Sequence, residues 1–273
     1  MLTSKQLSDI EQLQKEVEAF DKLEMKLNWE MLRDQRSAGM DFLHYENNEL
    51  IAFLGLYGFG STCEATGMVK PSERRKGHFT RLFADAMASA KRIGFKKILL
   101  NAPASSIAAK EFLKGQGAAY KFSEHQMQWQ PKPLEDSAGF VLRRASPEDT
   151  DMRVRLDVEA FDRPLEDAIA SESRTAKDED TDMWMIDVGD ETIGKIRVTR
   201  EDGQAWIYGF SVLPEHQGKG IGRKVLRRIV KQQSERGHTV HLEVEAENTP
   251  ALRLYESVGF KVMHAQDYYG YES

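Results

Sequence analysis

Four short segments of this chain occur twice, in the same order and at nearly the same distance along the sequence. The paired segments are 141 to 143 residues apart in a chain of 273 residues. Any one match can arise by chance, but four in order at one spacing indicate that a whole domain is duplicated. The chain is therefore interpreted as two copies of one unit, which agrees with a length near two typical domains. The pairs are residues 16–21 with 157–162, 68–71 with 211–214, 74–77 with 217–220, and Gly117 with Gly259.

The junction between the copies is predicted within residues 130–137. Two closely spaced prolines, Pro131 and Pro133, favour an extended connector there. We therefore expect an N-terminal domain over residues 1–134 and a C-terminal domain over residues 135–273. In each copy, segments of helical periodicity are mixed with short apolar segments typical of strands, so both domains are expected to have an α/β fold.

The composition argues against several classes of protein. Apolar residues make up 40% and charged residues 30% of the chain, as in ordinary folded proteins. The net charge of −6 argues against a nucleic-acid partner, and the longest apolar run, residues 50–60, is shorter than the roughly 20 residues that cross a bilayer. With no apolar segment at the N-terminus, we expect a cytoplasmic protein that contacts no membrane. The single cysteine, Cys63, and the lack of histidines at metal-motif spacing predict no disulfide framework and no metal site.

A glycine-rich turn joins a strand to a helix in the second copy, over residues 208–223. Glycines let backbone N–H groups approach an anion closely, and the start of a helix favours negative charge. Lys219 and Arg223 add positive charge at the same place. The combination suits a pyrophosphate group, although neither the Walker loop nor the dinucleotide fingerprint is present. An ordinary turn before a solvated basic helix is the alternative.

The spacing Gln217-x-x-Gly220-x-Gly222 after an apolar strand resembles the acetyl-CoA-binding signature of the GNAT N-acetyltransferase superfamily. Residues 242–260 resemble the second motif of that family. The resemblance covers residues 139–270 and extends, more weakly, to the first copy. Two copies in one chain resemble tandem GNAT enzymes, of which mycothiol synthase is one kind. The resemblance implies that each domain is a mixed, mostly antiparallel sheet flanked by helices, which splays where the cofactor enters.

The same resemblance implies an acetyl-CoA-dependent N-acetyltransferase in which an amine attacks the thioester directly. Tyr255 matches the position of the family's acid, and Glu243 is the expected base, with Glu245 or a water path as alternatives. The backbone N–H near Val212 is the implied oxyanion donor. Asn248 is expected to hold the cofactor, the start of a helix, or both. The implied cofactor-binding residues are Val212, Gln217, Gly218, Lys219, Gly220, Ile221, Gly222, Arg223 and Asn248.

The first copy departs from this pattern at three positions. Phe79 stands where the second copy has Gly222, Leu113 where it has Tyr255, and Ser106 where it has Asn248. Leucine neither donates nor accepts a proton, so we expect only the second copy to be catalytic by this route. The first copy is left with three roles: binding CoA, shaping the acceptor site, or serving as a scaffold.

Two alternatives to a small-molecule enzyme remain at this stage. One is a non-catalytic module that senses CoA or acyl-CoA. The other is a protein or peptide N-terminal acetyltransferase, because residues 267–269 resemble the tail of such enzymes and Glu243 precedes Tyr255 by the twelve residues that separate their base and acid. The expected partner is accordingly an amine, either a small molecule or a peptide, and the sequence leaves the oligomeric state open.

Overall fold

The structure is a computed structural model, and three of the positions named above fall outside the part of the chain that it describes. They are Asp136 and Ser137 of the predicted junction and Asp162 at the end of a repeated segment. The described residues are 1–135, 138–161, 164–175 and 181–272.

The chain forms two compact units. Unit 1 comprises Met1–Ser123 and His264–Ser273, and unit 2 comprises Glu124–Met263. Strand β5 (Ala119–Trp129) therefore starts in unit 1 and ends in unit 2, and strand β11 (Phe260–Tyr271) starts in unit 2 and ends in unit 1. The predicted division at residue 134 concerns the two sequence copies and stays a prediction.

Unit 1 is a mixed sheet with helices packed against it. Its strands lie in the order β1-β2-β3-β4-β11, in which β3 and β4 are parallel and the other neighbours are antiparallel. Two apolar clusters form its core, one of them beneath helix α3. Its elements are α1 (Ser4–Asp21), α2 (Trp29–Arg33), β1 (Asp41–Glu46), β2 (Glu49–Phe59), β3 (Thr62–Val69), α3 (His78–Ile93), β4 (Lys97–Pro103), α4 (Ile107–Gly115), the start of β5 and the end of β11.

Unit 2 repeats this plan. Its strands lie in the order β5-β10-β9-β8-β7-β6, in which only β9 and β10 are parallel neighbours among the described pairs. The predicted mixed, mostly antiparallel sheet with flanking helices is thus confirmed for both units. Its further elements are β6 (Val141–Arg144), α5 (Thr150–Phe161), α6 (Leu165–Thr175), β7 (Thr181–Val188), β8 (Glu191–Glu201), β9 (Gln204–Val212), α7 (Ile221–Glu235), β10 (Thr239–Glu245) and α8 (Thr249–Val258).

The core of unit 2 fixes the two faces of strand β10. Val240, Leu242 and Val244 are buried in one apolar cluster with residues of α7 and α8. Because side chains alternate along a strand, Glu243 and Glu245 point to the opposite face. Among the described residues, no helix is long and apolar enough to cross a bilayer.

Tyr268, near the end of β11, tests the assignment of this strand to unit 1. Its side chain is buried and stacks on Phe122 at 4.6 Å, and its hydroxyl accepts a hydrogen bond from Lys26 Nζ at 2.8 Å. We expect Tyr268→Ala to lower the free energy of unfolding by about 3–5 kcal/mol through loss of a buried ring. Tyr268→Phe keeps the ring and should cost only about 1 kcal/mol. Hydrogen exchange should show loss of protection in β1–β4; loss confined to β7–β10 would contradict the assignment.

Candidate active site

The central feature of unit 2 is the point where two parallel strands part. β9 and β10 pair from Thr239 with Gln204 to Leu242 with Ile207, and the pairing ends there. β9 continues to Val212, and β10 continues to Glu245. The carboxyl ends of the two strands therefore diverge, as the resemblance implies, and the residues beyond Ile207 and Leu242 border the opening.

The loop after β9 has a backbone that exposes its N–H groups. Gly218 and Gly220 have φ of +73° and +78°, a region that side chains rarely adopt. A Cβ at either glycine would meet no atom within 4 Å, so conformation rather than crowding requires glycine there. Gly220 is followed by Ile221, the first residue of α7, whose early N–H groups have no partner within the helix. The result is an open anion cradle.

Polar and charged side chains complete this loop. Gln217 Nε2 donates to the carbonyl oxygen of Val212 at 2.8 Å, which ties the loop to the end of β9. Lys219 and Arg223 are exposed beside the cradle and supply the positive charge that a phosphate requires. The predicted residues of the signature thus lie together, and their contact with a cofactor stays a prediction.

Asn248 begins helix α8. Its Oδ1 accepts a hydrogen bond from the backbone N–H of Ala251 at 3.2 Å, and Pro250 occupies the first turn. This is the N-cap geometry expected from the sequence. The cap sets the direction of the helix that carries Tyr255.

Tyr255 lies on α8 with its ring against the unit 2 core. The ring is half-buried and makes an edge contact with Phe260, with 6.1 Å between ring centroids. Burial raises the pKa of the phenol to about 12, because the charged form would lose its hydration. Within the described part of the chain, the hydroxyl has no hydrogen-bond partner. Tyr255 is therefore a protonated donor at neutral pH.

Glu243 is half-buried on the face of β10 opposite the α7 and α8 core, whereas Glu245 is exposed at the end of the strand. Gln126 of β5 lies directly across from Glu243, and its Nε2 donates to the carboxylate at 3.1 Å. The second atom of that amide, Oε1, is buried and has no partner among the described residues. The glutamate is thus oriented by a side chain that also offers a spare acceptor.

Gln126 was not identified from the sequence, because the predicted division at residue 134 assigns it to the first copy, whereas it lies in unit 2. The repeat places Tyr268 at the equivalent position of the second copy, within the residues 267–269 that resemble the tail of peptide N-terminal acetyltransferases. In the structure they lie in unit 1, where Asp267 forms an ion pair with Lys110 at 2.9 Å. Only the pairing of β5 with β10 reveals Gln126, and the repeat gives no signal for that pairing.

Unit 1 has the same opening between β3 and β4, whose pairing ends at Ala65 with Leu100. At the position of Glu243 it has Asn101, a buried residue whose amide atoms have no hydrogen-bond partner in the described chain. At the position of Tyr255 it has Leu113, which is buried in the unit 1 core. Both side chains of unit 2 that the sequence analysis predicts to transfer protons are therefore replaced in unit 1.

The phosphate-type loop of unit 1 keeps its backbone shape but is engaged by protein. Arg75 and Gly77 have positive φ, as Gly218 and Gly220 do. Arg74, at the position of Gln217, donates through Nε to the carbonyl of Val69 at 3.3 Å. Its other nitrogens bind both carboxylate oxygens of Asp21, at 2.9 and 2.6 Å.

Unit 1 has Phe79 at the position that Gly222 occupies in unit 2. A second difference, in the strand that faces this position, makes room for the ring. In unit 2 the aromatic ring comes from the strand: Phe210 lies 3.6 Å from where a Cβ of Gly222 would be. In unit 1 the equivalent strand residue is Gly67, and a Cβ there would lie only 2.5 Å from the ring of Phe79. Glycine and phenylalanine have thus exchanged places across the same contact between strand and helix.

Comparison with known proteins identifies the family. The model of the acetyltransferase (GNAT) family matches residues 5–118 and, a second time, residues 147–260. Over 55 residues the chain is 46% identical to the N-alpha-acetyltransferase RimI of Mycobacterium tuberculosis, a match that covers 20% of this chain and 34% of that protein. Over 62 residues it is 42% identical to the mycothiol acetyltransferase of Clavibacter sepedonicus, covering 22% of this chain and 20% of that protein.

A solved structure shares the fold over nearly the whole chain. A GCN5-related N-acetyltransferase from Sphaerobacter thermophilus is 21% identical, with a TM-score of 0.79, covering 97% of this chain and 91% of that one. The matches to the two sequence relatives, by contrast, cover only about a third of the relative's length or less. The structural likeness shows the fold.

The exchange of glycine and phenylalanine predicts a strong coupling in unit 2. Gly222→Phe should destabilise the protein by about 1–3 kcal/mol, because the new ring meets Phe210. In the double variant Phe210→Gly with Gly222→Phe, the ring is moved rather than added, as in unit 1. In urea unfolding, Phe210→Gly and Gly222→Phe should each lower the free energy of unfolding. We expect the sum of these two losses to exceed the loss in the double variant by at least about 1 kcal/mol. Additive losses would show that the two positions do not share one contact.

Proposed function

The chain belongs to the acetyltransferase (GNAT) family, and we propose that its second unit is an acetyl-CoA-dependent N-acetyltransferase that transfers the acetyl group directly to an amine. The observation that carries the proposal is the arrangement around the diverging strands of unit 2. There an open glycine cradle follows β9, and the helix after β10 carries Tyr255, whose hydroxyl has no partner among the described residues.

The residues of unit 2 fit the group that the family uses. Gly218 and Gly220 leave space at the cradle, so that phosphate oxygens can approach backbone N–H groups. Lys219 and Arg223 offset the phosphate charge. When bound, acetyl-CoA supplies the acetyl group as a reactive thioester. The diverging ends of β9 and β10 provide the place for the reacting end, beside Val212, whose backbone N–H is the proposed oxyanion donor.

Glu243 is the proposed base. An amine with a pKa near ~10 is mostly protonated at neutral pH and must lose a proton before it attacks. Glu243 is half-buried and oriented by Gln126, whereas Glu245 is exposed, which favours Glu243 for this role. The spare Oε1 of Gln126 offers an acceptor for a second amine proton.

Tyr255 is the proposed donor to the departing sulfur. Its pKa of about 12 lies well above the ~8.5 of an ordinary thiol, so complete transfer of its proton to sulfur is uphill. The hydroxyl therefore acts mainly by a hydrogen bond to the sulfur as negative charge develops there. Unit 1 lacks both groups, since it has Leu113 and Asn101 at these positions, and we assign it no acyl transfer by this route.

A peptide α-amine is the second candidate acceptor, beside a small-molecule amine. The observation that favours it is the 46% identity to a protein named as an N-alpha-acetyltransferase, over 55 residues. A panel of amino acids, polyamines and short peptides, assayed by thiol release from acetyl-CoA, separates the two classes. If no acceptor in the panel causes thiol release although acetyl-CoA binds tightly, the result would instead support a sensor module.

Tyr255→Phe should lower kcat by roughly 10²-fold with little change in the affinity for acetyl-CoA. The ring and its packing remain, and only the donor is lost. Because burial raises the pKa of Tyr255 to about 12, the wild-type rate should not fall between pH 8 and 10 through loss of this proton. Calorimetry and steady-state kinetics measure the two quantities, with Gly220→Glu as the variant expected to lose binding. Full activity of Tyr255→Phe would overturn the assignment.

Glu243→Gln should lower kcat by about 10²-fold or more near pH 7. The defect should shrink as pH rises toward ~10, because the acceptor amine then loses its proton without a base. Glu245→Gln is the matched control and should keep nearly wild-type activity. A larger defect in Glu245→Gln than in Glu243→Gln would move the base to Glu245, and a defect of Glu243→Gln that is independent of pH would exclude a role as base.

A further inference from the structure

A cluster of two histidines and one glutamate lies in unit 1 and includes none of the residues proposed for acyl transfer. His44 and Glu46 project from the same face of β1, and His78 is the first residue of α3. Glu46 Oε1 lies 3.2 Å from His44 Nε2 and 3.7 Å from His78 Nδ1. One ligand atom from each residue lies within 4.8 Å of the other two. We refer to these three residues as the histidine cluster.

These separations are close to those of a metal site. Bonds of 2.0–2.2 Å in a tetrahedral zinc site place neighbouring donor atoms about 3.3 Å apart. The two distances to Glu46 bracket that value, and the donor nitrogens of His44 and His78 lie within 4.8 Å of each other, so the two imidazoles would have to approach by up to about 1.5 Å to share one ion. Two imidazoles and one carboxylate are also a donor set that binds Zn²⁺ in enzymes.

The surroundings of His78 provide an independent observation. Its Nδ1 faces Glu46, while its Nε2 is buried and has no hydrogen-bond partner among the described residues. The carboxylate oxygen nearest to Nε2 is Glu73 Oε2, at 3.9 Å. Metal-bound histidines commonly donate their second N–H to a carboxylate, which fixes the ring. Glu73 is itself held by Lys76 at 2.6 Å, so it is placed to serve as that carboxylate.

The rings of His44 and His78 are also stacked, with 4.8 Å between their centroids. The side chains of His44 and His78 are 25% and 14% exposed and that of Glu46 is 45% exposed, which leaves a path from solvent.

The geometry points to a divalent transition-metal site in unit 1, formed by His44, Glu46 and His78, with Zn²⁺ as the fitting ion and Glu73 as the second-sphere carboxylate. Three protein ligands leave a fourth position for water on the exposed side of Glu46. The ion would join β1 to the start of α3, which follows the loop equivalent to the cradle of unit 2. In unit 2 the position of His78 is taken by Ile221, so the site is specific to unit 1.

The affinity follows from the local charges. The partial positive charge at the start of α3 and the ammonium of Lys76 disfavour a cation, while the carboxylates of Glu46 and Glu73 favour one. We therefore expect weaker binding of Zn²⁺ than at closed structural sites with four protein ligands.

The test uses the full untagged chain, treated with a chelator and dialysed, and titrated with Zn²⁺ in competition with a chromophoric chelator. We expect one Zn²⁺ per chain and a rise of the thermal unfolding midpoint on binding. His44→Gln and His78→Gln should each weaken binding at least about tenfold, and Glu46→Gln should do the same by removing the charge. Co²⁺ absorption reports whether the bound ion is four-coordinate.

The matched control is His264→Ala. His264 is a partly exposed histidine of unit 1 that pairs with Glu24 at 2.7 Å, and this pair has no third candidate ligand among the described residues. The variant should bind Zn²⁺ as the wild type does. No binding by the wild-type chain would overturn the proposal, as would equal affinity in His44→Gln, His78→Gln and wild type. Circular dichroism of each variant without metal excludes loss of folding as the cause.

Discussion

The end of the parallel pairing between β9 and β10 is the constraint on which the proposed site of unit 2 depends. Up to Leu242 and Ile207 the two strands share hydrogen bonds, and beyond them they diverge. If the pairing continued, the backbone N–H and C=O groups beyond these two residues would bond to each other. Because the strands diverge, there is room for a ligand between them, while α7 and α8 still pack on the same core. The cradle follows the end of β9, Glu243 follows the last residue of β10 that pairs with β9, and α8 begins after β10, so their positions are set by the same break.

The second strand neighbour of β10 matters as much as the break. β5, from the first sequence copy, covers the edge of β10 and brings Gln126 to Glu243. β11, from the second copy, covers β4 in unit 1. Without these neighbours, β10 and β4 would be exposed strand edges open to non-specific pairing. Unit 2 therefore requires β5 beside β10, and unit 1 requires β11 beside β4. The pairing of β5 with β10 therefore covers the edge of β10 and also brings a side chain to the proposed site of unit 2.

The sequence predicts those features that depend on local chemistry. The repeat, the cradle glycines, the N-cap of Asn248 and the position of Tyr255 on its helix follow from spacing and residue type. Gln126 was not found because it depends on which strand lies beside β10, and the histidine cluster was not found because it depends on the contact between β1 and the start of α3. The position of Asn101 follows from the repeat, but its burial and its unpaired amide among the described residues do not. His44 and His78 are far apart in sequence and share no motif, so the expectation of no metal site rested on spacing alone. The exchange of Gly67 and Phe79 with Phe210 and Gly222 is likewise visible only when strand and helix are seen in contact.

The contacts of unit 1 bear on the three roles that the sequence left to the first copy. Gln217 in unit 2 and Arg74 in unit 1 each bind the carbonyl oxygen at the end of the preceding strand, and Arg74 is also bound to both Asp21 oxygens. A positive φ at Arg75 costs roughly 1 kcal/mol relative to glycine, and these contacts keep the loop in that shape without a ligand. The buried Leu113 and the ring of Phe79 fill the space beneath. Unit 1 is thus held together by its own side chains, which favours a scaffold role over a second acyl-transfer site.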